Sequence, residues 1–223
     1  MRFGNIMSLV FVLSLFLLLE VPKSCIAYDY FSFPQTWPKG YCNKQIDEHK
    51  TFHCPGKIPK KFIIHGLWPQ PSQQAPNGSL LVEEDLKPVE KELGLDWPNL
   101  IGKNFIFWRS EWQAHGVISE AQFPKLEYFK TALHIYKQND LLEILTKEKI
   151  VPKAKEVYSV TSVLEAVKKH TEHDPQVVCY TDSKKNVSAL YEIRICLTSN
   201  ATSYRNCPNP HGSCGDGNLL FPK

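Results

Sequence analysis

The 223-residue chain contains no internal repeat, no low-complexity tract and no long linker. These absences exclude solenoid and array architectures and leave no point at which the chain would divide into several domains. Net charge is also small, +3 at pH 7, of which +1 falls in the first 27 residues. Net charge therefore gives little support for a nucleic-acid partner, although a chain of low net charge can still contain a local basic cleft.

Only one long apolar run is present, at residues 9–19, and it is too short to span a bilayer comfortably. Arg2 precedes the run, and small residues up to Ala27 follow it, which is the arrangement of a secretory signal peptide. We therefore predict a signal peptide at residues 1–27 and one mature domain at residues 28–223, secreted and without a membrane segment. A signal anchor is the less favoured interpretation, and vacuolar or endomembrane retention is an alternative destination.

Seven cysteines are an odd number for a secreted protein, but Cys25 lies in the predicted signal peptide. The remaining six predict three disulfides in an oxidising compartment. Their clustering favours one N-terminal bridge and two bridges among the last four; the six are Cys42, Cys54, Cys179, Cys196, Cys207 and Cys214. His49 and His53 beside the first pair could suggest zinc, but the spacing fits no common zinc finger, so we predict no metal.

Three Asn-X-Ser/Thr sequons begin at Asn77, Asn186 and Asn200. In a secreted chain they are candidate glycosylation sites on surface loops, and we expect one or two to be occupied.

Hydrophobic periodicity predicts both helices and strands along the chain. The predicted helices are residues 82–93, 104–115, 125–138, 141–146 and 159–169, and the predicted strands are residues 33–37, 62–67, 176–181 and 189–197. A Trp-Pro turn should follow the second strand, and residues 70–79 should form a surface loop. The predicted fold is α+β, a single domain with a mainly antiparallel sheet flanked by helices.

Two aromatic segments each present one histidine: FIIHGLWP, with His65, and FWRSEWQAHG, with His115. Glu111 lies four residues before His115, so on a helix the carboxylate would share a face with the imidazole, orient it and raise its pKa. Two imidazoles and a carboxylate suffice for metal-free acid–base cleavage of a phosphodiester. Taken singly, each segment has a simpler interpretation. Glu111 and His115 could be a surface pair beside core tryptophans, and His65 could be a buried histidine of the core.

Together the two segments resemble the active-site segments of the secreted ribonuclease T2 family. YFSFPQTWPKGYC near residue 30, DWPNL at residues 96–100, EILTKEKIVP at residues 143–152 and the C-terminal cysteine cluster resemble its plant members, both self-incompatibility and S-like types. The resemblance covers nearly all of residues 28–221 in order.

The resemblance implies an endoribonuclease that needs no metal or cofactor, acts as a monomer on single-stranded RNA and forms a 2′,3′-cyclic phosphate. It assigns His115 as the base and His65 as the acid of the first step, with Glu111 beside them. Five further residues match nucleotide-binding positions, although core packing is an alternative for the aromatic ones: Gln35, Trp37, Trp68, Asn99 and Phe107. The implied disulfides are Cys42–Cys54, Cys179–Cys214 and Cys196–Cys207.

The second segment departs from the family pattern W-x-H-E-W-x-K-H-G-x-C at three positions. Ser110 replaces a histidine, Ala114 a lysine and Ile118 a cysteine. The loop after HGLWP also lacks a cysteine, so the loss of that bridge leaves no orphan thiol. Ala114 matters most, because the lysine would stabilise charge on the phosphate; Arg109 and Lys103 are the nearest candidates to replace it.

Two functions therefore remain open. The first is a secreted ribonuclease with reduced activity. The second is a recognition protein on the same scaffold with little or no catalysis, for example in self-incompatibility, which would require a protein partner.

Overall fold

The computed structural model of the chain describes residues 28–49, 51–72 and 78–223. The predicted signal peptide and the sequon at Asn77 lie outside the described residues. The helices within them are α1 (Pro38–Glu48), α2 (Glu83–Leu86), α3 (Glu90–Asp96), α4 (Asn104–Ala114), α5 (Lys125–Gln138), α6 (Leu141–Lys147) and α7 (Val160–Thr171). A 3₁₀ helix, Gly116–Ser119, follows α4.

The strands of the described residues form one sheet. They are β1 (Tyr30–Thr36), β2 (Ile63–Ile64), β3 (Trp68–Gln70), β4 (Val157–Ser159), β5 (Gln176–Asp182), β6 (Val187–Thr198), β7 (Tyr204–Arg205) and β8 (Asn218–Leu220). The long strand β6 pairs antiparallel with β1, β5 and β7, and parallel with β8. Strands β2 and β3 both pair antiparallel with β1. The predicted α+β domain with a mainly antiparallel sheet is confirmed.

Alternation along β1 and β6 divides the sheet into two faces. On one face, Phe31 and Phe33 stand opposite Leu197 and Ile195 in the core, where α4, α5, α6 and α7 cover them. Thr36 stands opposite Glu192 on the other face. Helices α4 to α7 therefore protect one face, and the second face, where α1 packs beside Asp182 of β5, carries polar groups such as Thr36 and Glu192.

Several predicted elements differ from the observed ones. Residues 82–93 were predicted to be one helix, but they belong to two short helices, α2 and α3. Pro88, which lacks a backbone N–H, lies between them and interrupts the helical hydrogen bonds. Helix α3 then continues past Gly94, where the predicted helix ended. Helix α1 was not predicted. Pro38 begins it, and Gly40 lets it approach β6 so closely that an added Cβ would lie 2.1 Å from the carbonyl oxygen of Leu190.

The described residues contain three disulfides: Cys42–Cys54, Cys179–Cys214 and Cys196–Cys207. They are the pairs that the resemblance implied. Ile118, at the position of the missing cysteine, instead packs against the core cluster that includes Trp112.

Candidate active site

The candidate site lies where the partner of β1 is interrupted between β2 and β3. Residues 62–67 were predicted to be one strand, but the ladder stops after Ile64, and Trp68 and Pro69 belong to β3 instead of a turn. Two hydrogen bonds fix the main chain at this break. The backbone N–H of His65 donates to Pro34 O (2.9 Å), and the indole N–H of Trp97 donates to His65 O (2.9 Å). The backbone of His65 is thus fixed before its side chain makes any contact.

Trp68 connects the two predicted catalytic histidines. Its ring centroid lies 4.9 Å from that of His65, edge to face, and 4.9 Å from that of His115, at an interplanar angle of 32°. Its indole N–H donates to Oε2 of Glu111 at 2.8 Å. The structure therefore brings His65, Glu111 and His115 together around one indole.

The predicted contact between the side chains of Glu111 and His115 is wrong. His115 is the C-cap of α4, with φ −133° and ψ −48°, and only its backbone N–H bonds to Glu111, at the carbonyl oxygen (3.0 Å). This non-helical backbone moves His115 away from the helical position at which the two side chains would meet. Among the described residues, none provides a hydrogen-bond partner for the buried Nδ1 of His115.

The pKa of His115 is consequently lowered, not raised as predicted. Burial, and then the nearby charge of His65, bring the pKa of His115 to about 4. Burial also raises the pKa of Glu111, against the opposing effects of the His65 charge and the hydrogen bond from Trp68. Near neutral pH, His115 is therefore an unprotonated imidazole that can accept a proton.

His65 has a different environment, which sequence analysis missed. Its Nδ1 lies 2.6 Å from Oε2 of Glu192, a carboxylate on β6 that is fully buried. The guanidinium Nε of Arg194 donates to the other oxygen of Glu192 at 2.7 Å, and its Cζ lies 5.2 Å from the ring centroid of Trp68. The available signal was two charged residues, two apart, on one face of a strand that is otherwise apolar.

The contact with Glu192 offsets the effect of burial on the pKa of His65. Burial lowers the pKa of His65, but the charge and hydrogen bond of Glu192, followed by the charge of Glu111, outweigh it, and Arg194 opposes them weakly. The net result is a pKa above the ordinary value of 6.5. The pKa values of the two histidines are therefore shifted in opposite directions, and His65 keeps its proton to higher pH than His115 does.

A pocket of about 280 Å³ opens beside His65. Phe107, predicted to bind nucleotide, lines it with its ring centroid 6.1 Å from that of His65, and Ser110 lies on the same wall. Asn99 also lines the pocket, but its amide group is used within its own loop, accepting from the Ile101 N–H (3.0 Å) and donating to Lys103 O (3.3 Å).

The structure places the predicted substrate-binding residues Gln35 and Trp37 outside this pocket. Gln35 points to the core face of β1, has no exposed surface and donates to Asn139 O. Trp37 packs between Phe62 and Phe221. Alternation along β1 explains this placement, since Thr36 is the residue at this end of the strand that lines the pocket.

No basic side chain from α4 replaces the missing lysine within the described residues. Ala114 is exposed and presents only a methyl group. Arg109 stacks over Phe105, 5.8 Å from its ring centroid, and Lys103 lines a different surface depression with Glu83. Among the described residues, the cation that packs on Trp68 is Arg194, which comes from β6 and not from α4.

The remaining predicted site residues lie apart from this centre. Asn186 and Asn200 are exposed at turns on either end of β6. The described residues include no group of three His, Cys, Asp or Glu side chains arranged to hold a metal ion. No helix in the described ranges is long and apolar enough to cross a membrane.

Comparison with known proteins agrees with this geometry. The Ribonuclease T2 family model matches residues 28–207. Ribonuclease 1 of Arabidopsis thaliana is 35% identical over 208 residues, covering 87% of this chain and 86% of the relative. Extracellular ribonuclease LE of Solanum lycopersicum is 33% identical, covering 94% and 96%. The structure of ribonuclease MC1 from bitter gourd seeds has a TM-score of 0.79 at 30% identity, covering 87% of this chain and 100% of the other.

The chain therefore belongs to the ribonuclease T2 family. The protein is a ribonuclease, and RNA is its substrate.

Proposed function

We propose that the protein is an endoribonuclease that cleaves single-stranded RNA without a metal, through attack of the ribose 2′-hydroxyl. The observation that carries this proposal is the pair of opposed pKa shifts, upward at His65 and downward at His115, on two imidazoles packed against one indole. General acid–base catalysis requires one protonated and one unprotonated group at the same pH.

In the first step, neutral His115 removes the proton of the 2′-hydroxyl. The 2′-oxygen bonds to phosphorus, and the bond between phosphorus and the 5′-oxygen breaks. Protonated His65 gives its proton to the departing 5′-oxygen. The products are a 2′,3′-cyclic phosphate and a free 5′-hydroxyl. DNA lacks the 2′-hydroxyl and cannot react in this way.

In the second step the two histidines exchange roles. His65, now neutral, takes a proton from water while the water oxygen bonds to phosphorus. The bond from phosphorus to the 2′-oxygen breaks, and His115 returns a proton to that oxygen. The product is a 3′-phosphate, and both histidines regain their starting states.

Trp68 and Glu111 hold this arrangement in place. Glu111 fixes the indole of Trp68 by accepting its N–H at 2.8 Å, and the indole contacts both imidazoles. Phe107, at the wall of the pocket, offers an aromatic ring on which a base can stack. We therefore propose that Trp68 lies beside the reacting phosphate, with the pocket at Phe107 receiving one of its two nucleosides.

The proposed activity is reduced relative to relatives that carry the lysine. Loss of one preorganised charge at a transition state typically costs about 2.7–4 kcal/mol, or roughly 10²–10³ in rate. Ala114 is also the observation that favours a second candidate, an RNA-binding recognition protein with little turnover. Such a protein would not require two imidazoles with pKa values shifted in opposite directions, so we favour catalysis.

We further propose secretion, with the mature chain starting near Tyr28 and acting as a monomer. The three disulfides support an oxidising compartment, and a relative named as extracellular supports the same destination. The exposure of Asn186 and Asn200 supports glycosylation at one or both. Expression of the full chain in a secretory host, followed by N-terminal sequencing and mass analysis before and after glycan removal, tests these points.

The direct test of function is cleavage of a defined RNA in EDTA by the secreted, disulfide-bonded protein. The expected products carry 2′,3′-cyclic phosphate ends, and a substrate with a single 2′-deoxy nucleotide at the cleaved position should resist. Replacement of His65 or His115 by alanine should abolish turnover. His134, exposed on α5, provides the matched control, and His134→Ala should cleave normally.

Two outcomes would contradict the proposal. Cleavage that stops in EDTA would show a metal-dependent reaction. A folded protein that binds RNA but releases no product, in the wild type as in His115→Ala, would establish the recognition protein instead.

A further inference from the structure

A carboxylate from the centre of the sheet reaches the imidazole of His65. Glu192 lies on β6, where it stands opposite Thr36 of β1. His65 lies on the other side of β1, in the break between β2 and β3. Glu192 has no exposed surface, yet its Oε2 lies 2.6 Å from His65 Nδ1. A buried carboxylate without partners is very costly, so its position requires compensation by specific donors.

The donors account for both oxygens of Glu192. Oε2 accepts from His65 Nδ1 and, at 3.4 Å, from the hydroxyl of Thr36. Oε1 accepts from Nε of Arg194, whose own Nη1 donates to Gln176 at 3.1 Å. Because Arg194 and Thr36 hold the carboxylate from two sides, Glu192 cannot turn away from His65 without losing these bonds.

The backbone is shaped to place this carboxylate. Val178 of β5 stands opposite Glu192, but the next residue, Cys179, stands opposite Leu190, so Tyr191 is an extra residue in β6. Such bulges re-aim side chains and are common beside active sites. Here the bulge places both Tyr191, which lines the pocket, and Glu192 beside His65.

We propose that Glu192 is the positioning residue of His65, holding the proton on Nδ1 so that Nε2 alone exchanges a proton with the substrate. The inference rests on the proposed acid role of His65. In the first step Nε2–H is given to the 5′-oxygen, and the Nδ1–H to Glu192 bond remains. In the second step the lone pair of Nε2 is free to accept a proton from water. Without Glu192, the neutral ring could carry its proton on Nε2 and could not act as the base.

The charged and titratable groups that face His65 come from two elements, β6 and α4. Glu192 and Arg194 lie on β6, Glu111 on α4, and His115 at the end of α4. Of these, Glu192 is the one bonded to the ring of His65. Removing its charge while keeping its shape should therefore lower the pKa of His65, and Glu192→Gln is the isosteric change that does so.

The test uses secreted full-length protein labelled with ¹⁵N at histidine. In the wild type, the neutral ring of His65 should be the Nδ1–H tautomer, and His65 should titrate above the ordinary value for histidine. In Glu192→Gln its titration should move to lower pH, and the basic limb of the kcat/KM profile should move with it. We expect kcat/KM at neutral pH to fall by about 10- to 100-fold, with KM changing little.

Asp182→Asn is the matched control, since Asp182 is another buried carboxylate on the same sheet, bonded only to the nearby turn among the described contacts. It should leave the pH profile and the His65 titration unchanged. An Nε2–H tautomer in the wild type overturns the inference even where Glu192→Gln fails to fold, as does an unmoved His65 titration in folded Glu192→Gln. These NMR results do not depend on turnover, so an inactive wild type would contradict the proposed function and leave the Glu192 test intact.

Discussion

The indole N–H of Trp68 donates to Oε2 of Glu111 at 2.8 Å, and this bond determines how the two walls of the site meet. Glu111 belongs to α4 and Trp68 to β3, so the bond joins a helix to the broken edge of the sheet. Because each imidazole packs on the same indole, a change at either end of the bond is transmitted to both histidines.

Trp68→Phe tests this bond. The change retains an aromatic ring but removes the donor, leaving the buried carboxyl of Glu111 without its indole partner. We expect the free energy of unfolding to fall by about 1–3 kcal/mol and turnover to fall with it. Denaturant unfolding and RNA cleavage measure the two effects. In the double variant with Glu111→Gln, the loss of unfolding free energy should be smaller than the sum of the losses in the two single variants. A loss equal to that sum would show that the bond between Trp68 and Glu111 contributes no coupling energy.

The pH dependence of kcat/KM follows from the two shifted pKa values. The rate should rise as pH increases through about 4, because His115 must lose its proton to act as the base. The rate should fall at high pH, above the ordinary histidine value, because His65 must keep its proton to act as the acid. A profile measured from pH 3 to pH 9 checks both limbs. An acid limb near the ordinary histidine value would contradict the burial of His115 described above.

Gly66→Ala should inactivate the enzyme through a steric effect. A Cβ at Gly66 would lie 2.0 Å from Nε1 of Trp68 and 2.5 Å from Oε2 of Glu111, between the two atoms of their hydrogen bond. Those atoms must separate to admit it, so we expect loss of most cleavage with the fold retained. Gly56→Ala is the control, because a Cβ at Gly56 meets no atom within 4 Å. Circular dichroism and RNA cleavage of both variants decide the matter.

Ala114→Lys should increase the rate by restoring the missing cation. The expected gain is up to roughly 10²–10³ in kcat, the reverse of the usual loss on removing such a group. Gln113→Lys, at the neighbouring exposed position, adds the same charge and should give a much smaller gain. Equal gains from both variants would mean that general attraction of RNA, not contact with the reacting phosphate, limits the rate. No gain from either would indicate that Arg194 already serves the phosphate.

The sequence predicted the periodic parts of this fold well. Helix α5 covers the predicted residues 125–138, since its apolar residues recur at helical spacing and face the core. Helix α1 was missed because most of its side chains are polar and only Pro38, Gly40 and Cys42 are buried. Its position depends on close packing against β6, which no local pattern reveals.

The site shows the same division. His65, Glu111 and His115 could be found because each lies in a distinctive local segment. The pair Glu192 and Arg194 was visible as two charges on one strand, but its contact with His65 was not, because strand order brings together residues 127 positions apart. The error at Glu111 arose from treating α4 as helical through His115, whereas the non-helical backbone of that one residue sends its ring toward Trp68.

The break in the strand beside β1 also has a consequence for solubility. Strands β2 and β3 contain two and three residues, and both pair only with β1 among the described strands. A long, continuous outer strand offers a row of unpaired backbone groups to which a second molecule can add. By dividing that strand to expose His65, the chain also leaves little straight edge for such addition. The geometry that serves the reaction thus opposes self-association into fibres.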